Sequence, residues 1–424
     1  MRKDLCMPGF IQAIRNKFLK IPDPRQFSRP NQISFIDCLL SCFAVFNLKW
    51  PSLLQYEEET KNPHVLKNLK NLFLISRPPS DTYMRERLDE LDPLLLRPSF
   101  NKVFAMAQRG KVLEEYQFLD GYYLFSADGT GYFSSHKVHC CNCCVKNYSN
   151  EKKMYYHHMM CGAIVHPSKR EVLPFCPEPI QLQDGATKND CEQHASKRLF
   201  EHIRREHPHL KLIVVQDGLA ENGPNVGLLE SLGLKYIIVS HSFIFDWIDP
   251  EKITHFEYTD EEGNLHKYRF MNDRPLNGSH IHLKTNFFDH TVYMKNGKTQ
   301  HCCWITNIRI TKDNVHQLKI GGRARWKIEN ETFNTLKNQG YHFEHNFGHG
   351  NRNLSTVMCF LMILAFLVDQ LQLICCKAYQ EAKRTARTFY SLWEKTRTLF
   401  CYVELNTWEK LFLLISRKLT LDTT

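Results

Sequence analysis

Between residues 119 and 240 the chain adopts a rhythm that leaves few folds open to it. Apolar runs at 119–127, 131–139 and 155–166, then the shorter REVLPF, follow one another with only turn-like residues between them. NDCEQHASKRLFEHIRREH, 189–207, then sets Cys191, Ala195, Leu199 and Ile203 at four-residue steps, the repeat of an amphipathic helix. LKLIVVQD is too short for a helix and ends in Asp217, and a helix near 224–232 leads to the buried strand KYIIVS, 235–240. Antiparallel strands followed by alternating helix and strand predict an α/β fold with a sheet of mixed direction. Ligands in such sheets gather at the carboxyl ends of strands. Asp217 and Asp128, in FSADGTGYF, are both predicted to stand there. Asp-Gly is also a hairpin signal, so Asp128 alone reads equally as a turn residue, and Gly-Thr-Gly is expected to reverse the chain.

The flanks have other patterns. Residues 1–30 are basic, contain several prolines, and read as an arm or a loosely packed segment. Phe35, Leu39, Cys42 and Phe46 mark a helix within 34–54, Asp81 is expected to cap a short helix, and another helix is predicted over 98–116. The division that results is a helical, basic region (1–116), the first part of the core (117–240) and a β-rich insertion (241–300). The insertion carries Trp247, Phe256, Tyr258, Tyr268, Phe270 and Tyr293. The core then resumes over 301–350, with the strand WITNIRI (304–310) and a helix starting at Asp313 or Asn314. A helical C-terminal region (351–424) is left for dimer or DNA contacts, and within it 377–397 reads as one basic amphipathic helix.

A formal charge of +10, with 21 histidines besides, favours a polyanionic partner, nucleic acid above all. Sixteen cysteines behind an N-terminus with no apolar signal segment predict reduced thiols in a cytoplasmic protein rather than a disulfide framework. The longest apolar run, VMCFLMILAFLV at 357–368, falls short of the ~20 residues of a bilayer span and reads as a buried helix.

A third acid follows in GGRARWKIENETFNTLKNQ. Trp326, Ile328, Phe333 and Leu336 are its apolar anchors, and Arg323, Arg325, Lys327 and Lys337 are cations suited to a DNA backbone. Glu329 lies four residues after Arg325 and four before Phe333, so the three share a helix face. Asp128, Asp217 and Glu329 gathered without cations would carry heavy desolvation costs. Mg²⁺ bound through carboxylates resolves the conflict, and a pair of such ions roughly 3.5–4 Å apart can activate a hydroxyl and stabilise a leaving oxygen. Asp184, Asp190, Glu192, Glu221 and Glu331 are rivals. Asp190 and Glu192 read better as first-turn acids, and Glu331 lies about 200° around the helix from Glu329.

FSADGTGYF, VVQDGLAENGP and RARWKIENETF together resemble the DDE transposases of bacterial insertion sequences, with acids 89 and 112 residues apart. PSDTYMRERLD, DGATKNDCEQHASKR and HNFGHGNRNLSTVMCFLMILAFLVDQ resemble one branch of that group, and the likeness covers about residues 30–375. The resemblance implies an RNase H-like core interrupted by a β-rich insertion. It also implies Asp128, Asp217 and Glu329 as catalytic ligands of Mg²⁺, with Mn²⁺ able to substitute. Such an enzyme cleaves at terminal inverted repeats, joins the 3′-OH ends to target DNA, and pairs two ends as a homodimer. The chain departs from the group's Tyr-Arg-Glu-Lys signature. The Tyr place is Gly322, the place seven after Glu329 is Leu336, and Lys337 comes one residue late. A metal-dependent endonuclease without strand transfer, and an inactive or co-opted DNA-binding protein of the same fold, are the alternatives.

Two motifs stand apart. In HCCNCCVK, 139–146, Cys140 and Cys143 form a C-x2-C pair that His158 and Cys161 could complete as a structural zinc site. The competing reading is thiols meeting at a hairpin tip, and His301-Cys302-Cys303 reads as core or strand edge. HNFGHG, 345–350, is either a loop closing a helix or a phosphate contact with His345 and His349 as donors.

Overall fold

The computed structural model describes residues 4–25, 31–149, 152–181, 191–240, 245 and 248–420; Asp184, Asp190 and Trp247 lie outside them. Among the described residues six α-helices come first: α1 (Met7–Phe18), α2 (Phe35–Leu48), α3 (Leu53–Glu59), α4 (Pro63–Phe73), α5 (Asp81–Asp89) and α6 (Arg97–Arg109). The first corrects the reading of 1–30 as a loose arm. Phe10, Ile11, Ile14 and Phe18 recur at helical spacing and are buried, so α1 is part of the core. At α5 the cap is Ser80, whose hydroxyl accepts the Tyr83 N–H, while Asp81 pairs with Arg85 one turn on.

The central sheet begins with β1 (Tyr123–Ser135), β2 (Cys144–Asn147), β3 (Lys153–Val165), β4 (Leu173–Pro174) and β5 (Glu178–Ile180). Helix α7 (Glu192–Glu206), β6 (Leu212–Gln216), α8 (Gly223–Ser231) and β7 (Lys235–Ser240) follow as the alternation predicts. β8 (Thr254–Thr259), β9 (Leu265–Pro275), β10 (Lys284–Tyr293) and β11 (Thr299–Thr306) complete, among the described residues, eleven strands in one sheet. The main path runs β2-β3-β1-β6-β7-β11-β10-β9-β8, with β4 and β5 on β3. β1, β6 and β7 are parallel and the other pairings antiparallel, so the sheet is mixed. The strands of 241–300 extend the same sheet beyond β7 and β11.

One expectation fails here. The strands expected at 119–127 and 131–139 are a single strand, and Gly129-Thr130-Gly131 does not reverse the chain. β3 offers β1 a partner from Leu124↔Val165 to Ser135↔Tyr155, with only a register shift between Gly131 and Phe133. Continuous ladder pairing outweighs a local turn signal whose hairpin would leave those backbone groups unmet.

After β11 come α9 (Val315–Arg323), a π-helical stretch (Ile328–Phe333) and α10 (Asn334–Asn338). α11 (Leu354–Cys375), α12 (Lys377–Ala386), α13 (Phe389–Tyr402) and α14 (Trp408–Ile415) close the chain. Among the described residues α11 alone is long and apolar enough to cross a membrane, and most of it is enclosed by protein. The single helix expected over 377–397 is two, because Arg387 adopts a positive φ of 65° and Thr388 caps α13 anew.

Candidate active site

Ser126, Asp128 and Thr130 alternate onto one face of β1, and Phe125, Ala127 and Gly129 onto the other. α7 covers the second face, where Phe125 meets Phe200 with ring centroids 6.2 Å apart. On the first face the Ser126 hydroxyl donates to the Arg325 carbonyl at 3.0 Å, tying the segment after α9 to β1. β6 pairs with β1 as far as Ser126↔Val215. Continuing that register by two residues brings Asp217, just past the end of β6, level with Asp128. Asp128 is thus not at the end of its own strand. It is half-buried because its neighbour β6 ends beside it. Asp217 is held by accepting the Leu219 N–H at 3.2 Å.

Arg325 links the first and third acids. Its Nη1 donates to Glu329 Oε1 at 2.7 Å and lies 3.4 Å from Asp128 Oδ2. Burial pushes the Asp128 carboxyl up to about 7; Arg325 opposes this, Glu329 adds to it, the Gly129 N–H opposes it and Asp217 adds to it. One guanidinium therefore does not compensate the carboxylates around it. The native state retains a proton on Asp128 that the unfolded chain releases near pH 4, so stability falls as pH rises from about 4 to 7. Asp128→Asn is expected to stabilise the metal-free chain by on the order of 1–2 kcal/mol at pH 8 and by much less at pH 5. Thermal unfolding at the two pH values checks this; an equal shift at both would show that titration is not the cause.

A fourth carboxylate lies close by. A Cβ at Gly129 would stand 2.2 Å from Glu192 Oε1, so the Glu192 side chain, at the start of α7, lies directly over the glycine of β1. The Glu192 carboxyl is raised by burial and then by Asp217, and its oxygen lies 3.6 Å from His158 Nδ1. Sequence reasoning assigned Glu192 to its helix alone. A strand glycine beside Asp128 signalled a close approach, but not what approaches.

The cations divide. Arg325, expected as a DNA contact, is buried against the two acids and over the Trp326 ring at 5.1 Å, where it serves as their internal counter-ion. Lys327 donates to the Lys169 carbonyl at 2.7 Å and lies 3.9 Å from Glu331. Lys337 pairs with Glu344 at 2.8 Å. Arg323 and Trp326 are exposed and border a cavity of about 410 Å³ that also reaches Asp217, Ser240, Trp304 and Arg325. At Gly322 a Cβ would stand 2.5 Å from the Trp304 indole nitrogen, so a tyrosine has no room there. Glu329 lies in the π-helical stretch, where each turn takes one residue more than an α-turn. That extra residue returns Lys337, eight after Glu329, to the angular place of the seventh residue on a regular helix.

The zinc ligand set needs correcting. The structure gathers Cys140, Cys143, His157 and His349, all buried, into a group able to hold a metal ion such as zinc. His158 and Cys161 are not in it. Neighbours on β3 alternate faces, so His158 turns to Glu192 while His157 turns to the cysteines. Cys161 is paired in register with Asp128. His349, expected as a DNA contact, is instead 5% exposed with its Nε2 3.3 Å from the Cys143 sulfur. No protein-family profile matches the chain, and no curated protein matches it.

Proposed function

We propose that the chain is a DDE-type DNA transposase with an RNase H-like core, which cleaves at the ends of its element and joins them to target DNA. The observation that carries this reading is the carboxylate set of Asp128 on β1, Asp217 past the end of β6 and Glu329 in the π-helical stretch after α9, with Arg325 bridging the first and third. The strand order supports it. Antiparallel strands (β1, β3, and β4 and β5 side by side along β3) are followed by β6 and β7, parallel to β1 on its other side, with α7 and α8 between. That is the order expected of an RNase H-like core, with β8–β10 as the insertion.

The oxygen-only donor set and the raised Asp128 carboxyl fit divalent cations, and Asp128, Asp217 and Glu329 would hold Mg²⁺. When bound there, Mg²⁺ supplies activation of an attacking hydroxyl and charge stabilisation at the leaving oxygen. The protein's part is positioning. The Gly129 N–H orients Asp128 at 2.9 Å, the Leu219 N–H orients Asp217, and Arg325 fixes Glu329. Trp326 offers an exposed ring for an unpaired base, and Arg323 a charge for phosphate.

Trp326→Ala is expected to weaken single-strand binding by about 5- to 100-fold. Arg323→Ala should weaken binding uniformly across sequences and reduce the salt slope by about 1. Fluorescence anisotropy over a salt series checks both. The reading itself is tested by incubating the protein and Mg²⁺ with labelled duplexes carrying the DNA that flanks its coding sequence. Joined products support a transposase. Cleavage without joining points to a nuclease of the same site, and binding without either points to a DNA-binding protein alone.

A further inference from the structure

We infer that Cys140, Cys143, His157 and His349 form a closed, structural zinc site that clips the outer end of β1 and β3 to the loop ahead of α11. A tetrahedral zinc ion with Zn–S near 2.3 Å and Zn–N near 2.0–2.1 Å separates two sulfurs by about 3.8 Å, and sulfur from nitrogen by about 3.5 Å. Here the Cys140 and Cys143 sulfurs are 3.8 Å apart. His157 Nε2 is 3.4 Å from each sulfur, and His349 Nε2 is 3.3 Å from that of Cys143. All four ligand atoms lie within 4.8 Å of one another. Four atoms from four separate side chains thus gather within reach of one ion, the four distances among them matching the edges of a coordination tetrahedron.

The donors decide the ion. Two thiols and two imidazoles, with no carboxylate among them, suit zinc and not Mg²⁺ or Ca²⁺. Four protein ligands leave no position for water or substrate, so the site is structural. The Cys140 N–H also points to the Cys143 sulfur at 3.4 Å, a donor suited to a metal-bound thiolate.

The ligands come from distant parts of the chain. Cys140 and Cys143 lie between β1 and β2, His157 lies on β3, and His349 precedes α11. The rings are seated by β1: Tyr132 stacks on His157 at 5.6 Å and Phe133 meets His349 at 4.2 Å. The Tyr132 hydroxyl is 3.0 Å from that of Thr356 on α11. Bound zinc therefore fixes the half of β1 that runs beyond Asp128 without touching the carboxylates.

Metal analysis of the full chain, purified without chelator, is expected to find about one zinc per chain. Replacement by Co²⁺ should give the visible bands of a tetrahedral site with two sulfur ligands. Cys140→Ser and Cys143→Ser should lose the metal, whereas Cys141→Ser, His158→Ala and Asp128→Asn should keep it. The cobalt spectrum of the unaltered chain stands even if the cysteine variants misfold, and zinc retention by Asp128→Asn separates this site from the transposase reading. A folded chain with less than about a tenth of an equivalent of zinc and no cobalt bands overturns the inference. So does a Cys140–Cys143 disulfide in the purified protein.

Discussion

Asp128→Asn, Asp217→Asn and Glu329→Gln are each expected to lower Mg²⁺-dependent DNA cleavage and joining by about 10³-fold or more. Each substitution keeps the side chain's shape and removes one negative charge, so the fold and the Arg325 contacts have little reason to move. DNA binding should stay within a few-fold, because Arg323 and Trp326 remain and one repulsive acid is gone. The effects should not multiply. Residues that hold one set of ions act as a unit, so a double variant is expected to be hardly worse than either single one. Gel assays of cleavage and joining, beside anisotropy at fixed salt, separate the two readouts. Wild-type cleavage by all three variants would remove the carboxylate set from the chemistry. Glu192→Gln makes a useful comparison, since Glu192 packs on the opposite face of β1 from Asp128 while its charge is felt by Asp217. A smaller loss is expected there.

The second large effect concerns stability. Lys49, at the end of α2, is fully buried against Asp369 of α11. Burial works against both charges, lowering the lysine and raising the carboxyl, so each depends on the other. The remaining polar atoms are also met. The Tyr341 hydroxyl donates to Asp369 at 2.6 Å, the Asn47 amide at 3.3 Å, and Lys49 donates to the Asn47 carbonyl at 2.8 Å. The ammonium also stands 4.0 Å from the Trp393 ring centroid, which brings α13 into the same knot. Lys49→Met is expected to destabilise by about 3–5 kcal/mol, because it strands a carboxylate in the interior. Lys49→Met with Asp369→Leu should recover much of that loss, since the desolvation cost goes with the charges. Urea unfolding of the single and double variants is the measurement. A loss below about 1 kcal/mol for Lys49→Met would mean that the pair behaves as an exposed one.

Some of this architecture follows from local pattern. The four-residue repeat of α7, the short apolar runs of β6 and β7 and the length of the α11 run are properties of neighbouring residues, and each element lies where its periodicity puts it. The acids and the C-x2-C pair were legible for the same reason, as unusual residue types in a contiguous stretch. Other features depended on partners far away in the chain. Whether Asp128-Gly129 turns or continues is decided by β3, which pairs across it. Whether His157 or His158 faces the cysteines is decided by the pleat of that strand, and His349 joins them only through tertiary packing.

Arg325 shows the division most plainly. From the sequence it is one cation among four, equally suited to phosphate. Only the Ser126–Arg325 hydrogen bond and the end of β6 place its guanidinium between Asp128 and Glu329. The sequence by itself determined elements such as α7, β6, β7 and α11, and which residues have the chemistry for a site, because propensity and periodicity act over a few residues. The tertiary structure alone decided which charges share a low-dielectric space, because Coulomb and desolvation energies depend on distance and burial rather than on position along the chain.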